Sequence, residues 1–200
     1  MMLFGLLKKR MKGKGKSSNN SSNNAQNPGM HLLAAILICY MEVDSAAYEP
    51  QDSILRLNFV IDGQLSREEL QHIGNLLNDS VQMYHLLEDG CEVHLGAEAE
   101  VQDDCVMLHV LRVLPTVTRG ELDLIADTLC DQYKDRLRIA PHMRGVGQEH
   151  IDEASAMLDQ LLSYTQHVHI NDHLVGMREQ DEVVVYNSNR TKKDTSQGQN

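Results

Sequence analysis

The chain has 200 residues, of which 42% are hydrophobic, 24% charged and 4% aromatic, with no Trp and a formal net charge of −11. One domain with tails fits this length and balance, and the scarcity of aromatics excludes a platform for stacking bases. The charge is unevenly held: residues 1–16 carry six Lys/Arg and no acid, leaving 12 basic against 29 acidic residues elsewhere, a net of −17 that repels phosphate backbones and excludes nucleic acid as a partner of the acidic core.

Residues 1–7 read M-M-L-F-G-L-L and are followed by K-K-R-M-K-G-K-G-K. Apolar residues precede the charges, the reverse of a signal peptide, and seven residues do not span a bilayer. One reading is a peripheral membrane or anion contact. Phe4 then enters the interface while Lys8, Lys9, Arg10 and Lys12 meet anionic headgroups, at about 1 kcal/mol per charge. The other reading is an unstructured basic tail. Residues 17–29 are a Ser/Asn-rich linker with nothing to bury. The expected organisation is a disordered tail and linker over 1–29, one α+β domain over 30–187 and a disordered tail over 188–200.

The apolar run H-L-L-A-A-I-L-I-C at 31–39 forms either a lead-in helix or an extension of a strand opening at Cys39. From there the chain repeats. Residues 39–79 and 91–131 align without a gap at a shift of 52, with 9 of 41 positions identical. The apolar period also changes at matching places. Cys39, Met41 and Val43 alternate with polar positions, as do Cys91, Val93 and Leu95, which predicts a first strand in each copy. The acidic stretches after them, 44–52 and 96–104, read as hairpin loops. Leu55, Leu57, Phe59 and Ile61 then share one face. Met107, His109, Leu111 and Val113 occupy the matching alternate positions in the second copy and are expected to face the core. Apolar residues on the opposite faces mark these as central strands.

The period then lengthens to that of a helix. Leu70, Ile73, Leu77 and Tyr84 form one stripe; Leu122, Ile125, Leu129, Tyr133 and Leu137 form the other. Ser66 with Glu69, and Thr118 with Glu121, have capping-box spacing. Gly63 and Pro115 interrupt the chain before each cap, and Gly90 stops the first helix. Each copy is thus a hairpin followed by a helix. The expected fold is α+β: duplicated ββα units forming one mostly antiparallel sheet with helices on one face. A third helix follows over 148–165, with Ile151, Ala154, Leu158 and Leu161 or Leu162 inward. A closing hairpin is expected from 168–170 and 183–186.

Four cysteines without a CxxC pair sit in apolar patterns and read as reduced core thiols of a cytoplasmic protein. The strongest chemical candidate is the run H-V-H-I-N-D-H at 167–173. On a strand His167 and His169 share a face, and Asp172 and His173 can fold back from the next turn. Three imidazoles and a carboxylate suit a divalent metal. The run resembles the HxHxDH signature of metallo-β-lactamase-type hydrolases but carries one extra residue before the acid, so the family is not assigned. No phosphate loop, nucleophile elbow or HExxH is present. The expectation is a non-catalytic, chaperone-like binding or adaptor module, acting on a protein partner or as a homodimer. It needs no cofactor, and its basic amino terminus adds peripheral membrane tethering. The alternative is a metal-binding regulator or metal-dependent hydrolase built on the His167–His173 run.

Overall fold

A computed structural model describes residues 27–140, 147–179 and 182–188. The chain enters through α1 (Pro28–Cys39), so the lead-in run is a helix and starts two residues before the expected domain boundary. Asn27 caps it by accepting from the Gly29 N–H at 3.0 Å, and Pro28 supplies a preset φ in the first turn. The helix carries no Asp, Glu, Lys or Arg, and its residues Leu32 through Leu37 are almost wholly buried. It is therefore a core helix rather than an amphipathic surface one.

Two hairpin–helix units follow: β1 (Ser45–Glu49), β2 (Ile54–Asp62) and α2 (Arg67–Glu88), then β3 (Gly96–Val101), β4 (Cys105–Val113) and α3 (Arg119–Tyr133). Short 3₁₀ turns at Leu114–Thr116 and Lys134–Arg136 flank α3. After α4 (Gln148–Thr165), the hairpin β5 (Leu174–Glu179) and β6 (Glu182–Asn187) completes a six-stranded antiparallel sheet of order β3-β4-β2-β1-β5-β6. The α+β class, the paired hairpin–helix units and the helix after them are as expected from the sequence; the closing hairpin is present, but its first arm is Leu174–Glu179 and not 168–170.

The two units meet through β2 and β4, which pair antiparallel over nine residues each, from Ile54↔Val113 to Asp62↔Cys105. Equivalent strands pairing in opposite directions create a local twofold axis at the middle of the ladder. Helices α2 and α3 pack together on one side of it. Leu55, Leu57, Phe59 and Ile61 of β2 are buried under the helices; their partners facing the same way are Val106, Leu108, Val110 and Arg112.

That register corrects the expected core face of β4. Met107, His109, Leu111 and Val113 point to the opposite side. The shift of 52 holds for the helices, but the strands superpose at 51, because the Leu114–Thr116 turn adds one residue before the second helix. A one-residue slip moves every side chain of a strand to the other face. The expected first strands are displaced as well. Cys39 ends α1, residues 40–44 form a turn, and residues 91–95 lie outside the ladder. The strands occupy the stretches read as loops. Val93 and Leu95 are buried by packing, not by pairing, and the Leu95 N–H donates to Asn78 at 3.1 Å.

α4 packs on α1, which itself lies on β1, β5 and β6. The approach of α1 to the sheet depends on Gly176: a Cβ there would sit 3.0 Å from the Leu37 side chain and 3.3 Å from that of Leu33. Arg178 closes the far end of α1, its Nη2 donating to the carbonyls of Leu37 and, at 2.9 Å, Tyr40. Carbonyls at a helix C-terminus have no intrahelical donor, and a guanidinium supplies one.

Candidate functional site

All four helices lie on one side of the sheet, so among the described residues the other side is uncovered by any helix. Ladder register places Met107 and Leu111 of β4, Val175 and Met177 of β5, and Val184 and Tyr186 of β6 on this open face. Arg56, Asn58, His109 and Ser45 lie among them. Glutamates ring the apolar positions: Glu98 and Glu100 on β3, Glu49 on β1, and Glu179 and Glu182 on the last hairpin. The open face thus carries apolar positions on β4 and on β5–β6, with Arg56, Asn58 and Ser45 between them on β2 and β1 and glutamates at its rim.

On the covered side a second polar cluster lies wholly inside the protein. Arg112, Glu121 and His85 are exposed by 2%, 0% and 2%. The Arg112 Nε donates to Glu121 Oε1 at 2.5 Å and its Nη2 to Oε2 at 3.0 Å; His85 Nε2 lies 2.7 Å from the same Oε2. Two further guanidinium hydrogens go to the His94 carbonyl at 2.6 Å and the Thr116 hydroxyl at 3.1 Å. Each of the three groups is hydrogen-bonded, which a buried charge requires. Glu121 therefore does not close the expected capping box. Thr118 accepts from the Glu121 N–H, but the carboxylate turns inward; in the first copy Glu69 does reach back to the Ser66 N–H, at 2.7 Å. His85 Nδ1 also lies 3.4 Å from the half-exposed Asp89, and the cluster has the geometry of an internal brace.

The His167–His173 run is not a hairpin arm. Residues 166–173 form a turn and an irregular segment, and β5 begins only at Leu174. The period-two argument therefore does not apply to it, and the four candidate ligands diverge. His167 is exposed. His169 Nδ1 lies 3.2 Å from the Ser53 hydroxyl. Asp172 accepts from Asn27 at 2.6 Å and from Asn187 at 2.7 Å. His173 lies 2.5 Å from Glu49 and also meets Ser188. Among the described residues no three His, Cys, Asp or Glu side chains converge as a metal site would need. Phe4, Lys8, Lys9, Arg10 and Lys12 lie outside the described residues. So do most of the segments expected to be tails. Among the described residues no helix is long and apolar enough to cross a membrane.

A groove of about 340 Å³ opens between the first turns of α2 and the helix-facing side of the edge strand β3. Arg67, Leu70 and Gln71 form one wall; Ala97, Ala99 and Leu108 form the floor. In the other half of the molecule, Arg119 and Asp123 stand where Arg67 and Gln71 stand here. There Tyr40 lies against them. Its hydroxyl donates to Asp123 at 2.5 Å, and the Arg119 guanidinium sits 5.5 Å from its ring centre. Burial, and then the bond to Asp123, push the Tyr40 phenol well above its ordinary range.

Helices on one face of the sheet imply the open face, but the assignment of β4, one residue out, hides which of its residues lie there and hides the buried cluster; the groove escapes because β3 carries no strand signal. The signal for the cluster was an arginine inside an otherwise apolar strand, V-L-R-V, nine residues before a helix-cap glutamate. No family model matches this chain, and no match is found among curated proteins or solved structures.

Proposed function

We propose that this protein is a non-catalytic binding or adaptor module whose open sheet face receives a basic segment of a protein partner with an apolar side. The observation that carries the reading is the one-sided placement of the helices, which leaves Met107, Leu111, Val175, Met177, Val184 and Tyr186 without a covering layer. Apolar residues left exposed on one sheet face are a candidate interaction surface. The glutamate rim and the net of −17 outside residues 1–16 select a basic occupant. Two copies meeting face to face would set two acidic rims against each other, which disfavours the homodimer.

The test is a pull-down with the intact protein and with a Leu111→Glu, Met177→Glu variant whose helical circular dichroism is unchanged. A partner held by the wild type, released by added salt and lost from the variant supports the reading. Equal capture by both proteins, or a wild type that self-associates through this face in sedimentation, overturns it.

A further inference from the structure

The two halves of the molecule also differ at the grooves beside their helices, which the local twofold does not predict. The groove beside α3 holds Tyr40, whereas the groove beside α2 is lined by Arg67, Leu70, Gln71, Ala97, Ala99 and Leu108 and receives no aromatic side chain from the described residues. We propose that the second groove is the docking site of the chain's own amino-terminal segment, with Phe4 seated against Arg67 and Gln71 as Tyr40 is against Arg119 and Asp123. This inference stands apart from the open face, since the groove lies on the helix side of the sheet.

Three observations select this occupant. The chain has two Phe and six Tyr, and Phe4 is the single aromatic residue outside the described part, so an aromatic supplied in cis is this one. The charges also match. Lys8, Lys9, Arg10 and Lys12 lie four to eight residues after Phe4, and Glu98 lines the groove, with exposed Glu68 beside Arg67 in the first turn of α2. A run of four cations next to an acidic rim gains more than the single Arg67 costs. Finally, the chain is long enough. The described part begins at Asn27, tied to Asp172 beside β5, and β3 is four strands away, about 19 Å at roughly 4.8 Å per strand. The 22 residues between Phe4 and Asn27 reach about 70 Å when extended.

The experiment uses the full-length chain and limited trypsin digestion, followed residue by residue with amide shifts. Docking shields the Lys8–Arg10 bonds, so Phe4→Ala speeds their cleavage about tenfold, as does Ala99→Trp, which fills the groove from an exposed edge-strand position. Phe4→Ala also shifts the amides of Leu70, Ala97 and Ala99 while leaving β6 unchanged. Equal cleavage in all three proteins with no shift at the groove overturns the proposal. Protection that grows with protein concentration overturns it too, since it assigns the segment to a second copy. So does protection that appears only with anionic vesicles, which assigns it to a lipid surface.

Discussion

Asn58 and His109 face each other at the centre of the β2–β4 ladder, with His109 Nδ1 2.7 Å from Asn58 Oδ1. Each is the middle residue of its nine-residue strand, so the local twofold passes between them. The Asn58 amide also donates to the Ser45 hydroxyl at 2.9 Å, which links β4, β2 and β1 on the open face. A double-mutant cycle with Asn58→Ala and His109→Ala should return a coupling of about 0.2–1 kcal/mol in urea unfolding, the range for cross-strand pairs. No coupling would mean that the two units join through the ladder alone.

The buried cluster breaks the symmetry that this pair marks. Arg112 takes the strand position that Ile61 holds in the first copy, and Glu121 takes the helix position of Glu69, which is exposed. Arg112→Met leaves Glu121 with His85 alone in a buried site, and should cost about 3–5 kcal/mol. Replacing all three, with Arg112→Met, Glu121→Leu and His85→Leu, removes the charges together and should be neutral or gain about 1–4 kcal/mol. Chemical denaturation of the two variants decides it. A triple variant as unstable as the single one would show that the cluster, and not apolar packing, holds α2 to α3.

These two sites also show where sequence reading succeeded and where it stopped. The caps at Ser66 and Thr118, the stops at Gly63 and Gly90 and the stripe positions Ile73, Leu77, Leu122, Ile125, Leu129 and Tyr133 are local signals, and each lies where expected; Leu137, expected on the second stripe, instead lies beyond α3 in a bridge to Ile61, and Tyr84 is only half-buried. The strands are less legible because C-V-M-L-H-V-L-R-V is apolar on both faces, so alternation alone cannot say whether His109 or Arg112 points inward. G-A-E-A-E-V gave no strand signal at all. As an edge strand, β3 buries none of its side chains and carries alternating glutamates that discourage pairing with another chain. In α2, Val81 and His85 continue the inward stripe through a region where the exposed Met83, Leu86 and Leu87 blur the period.

Asp172, read first as a metal ligand, joins both ends of the described domain by accepting from Asn27 at the cap of α1 and from Asn187 at the end of β6. Hydrogen bonds to a charged group contribute about 1.5–3 kcal/mol when enclosed. Since Asp172 is partly exposed, Asp172→Ala should cost about 1–2 kcal/mol. Amide exchange should speed in the first turn of α1 and in β6 while the β2–β4 ladder keeps its protection. A Zn²⁺-dependent rise in Tm that Asp172→Ala and His169→Ala each abolish would restore the metal reading.

Cysteine reactivity and alkaline stability follow from where α1 ends. Burial pushes the Cys39 thiol from 9.0 up to about 11; the nearby Arg119 opposes the rise, and Asp159 and Asp123 add to it. Cys91 is exposed. At pH 8 an alkylating reagent should therefore modify Cys91 first and reach Cys39 only on unfolding. The linkage has a definite sign. Between pH 9 and 11 the unfolded chain has released a proton that the folded chain keeps, so the folded state binds more protons and stability falls as pH rises. Below pH 9 the contribution is fully present. The Tyr40 phenol, also displaced upward by burial and by its bond to Asp123, acts in the same direction at higher pH. Cys39→Ala should thus flatten the loss of stability across this window, whatever constant offset the smaller side chain introduces. Urea midpoints at pH 8, 9, 10 and 11 measure the slope. Parallel slopes in wild type and variant would show that Cys39 ionises as readily in the folded protein as in the unfolded chain.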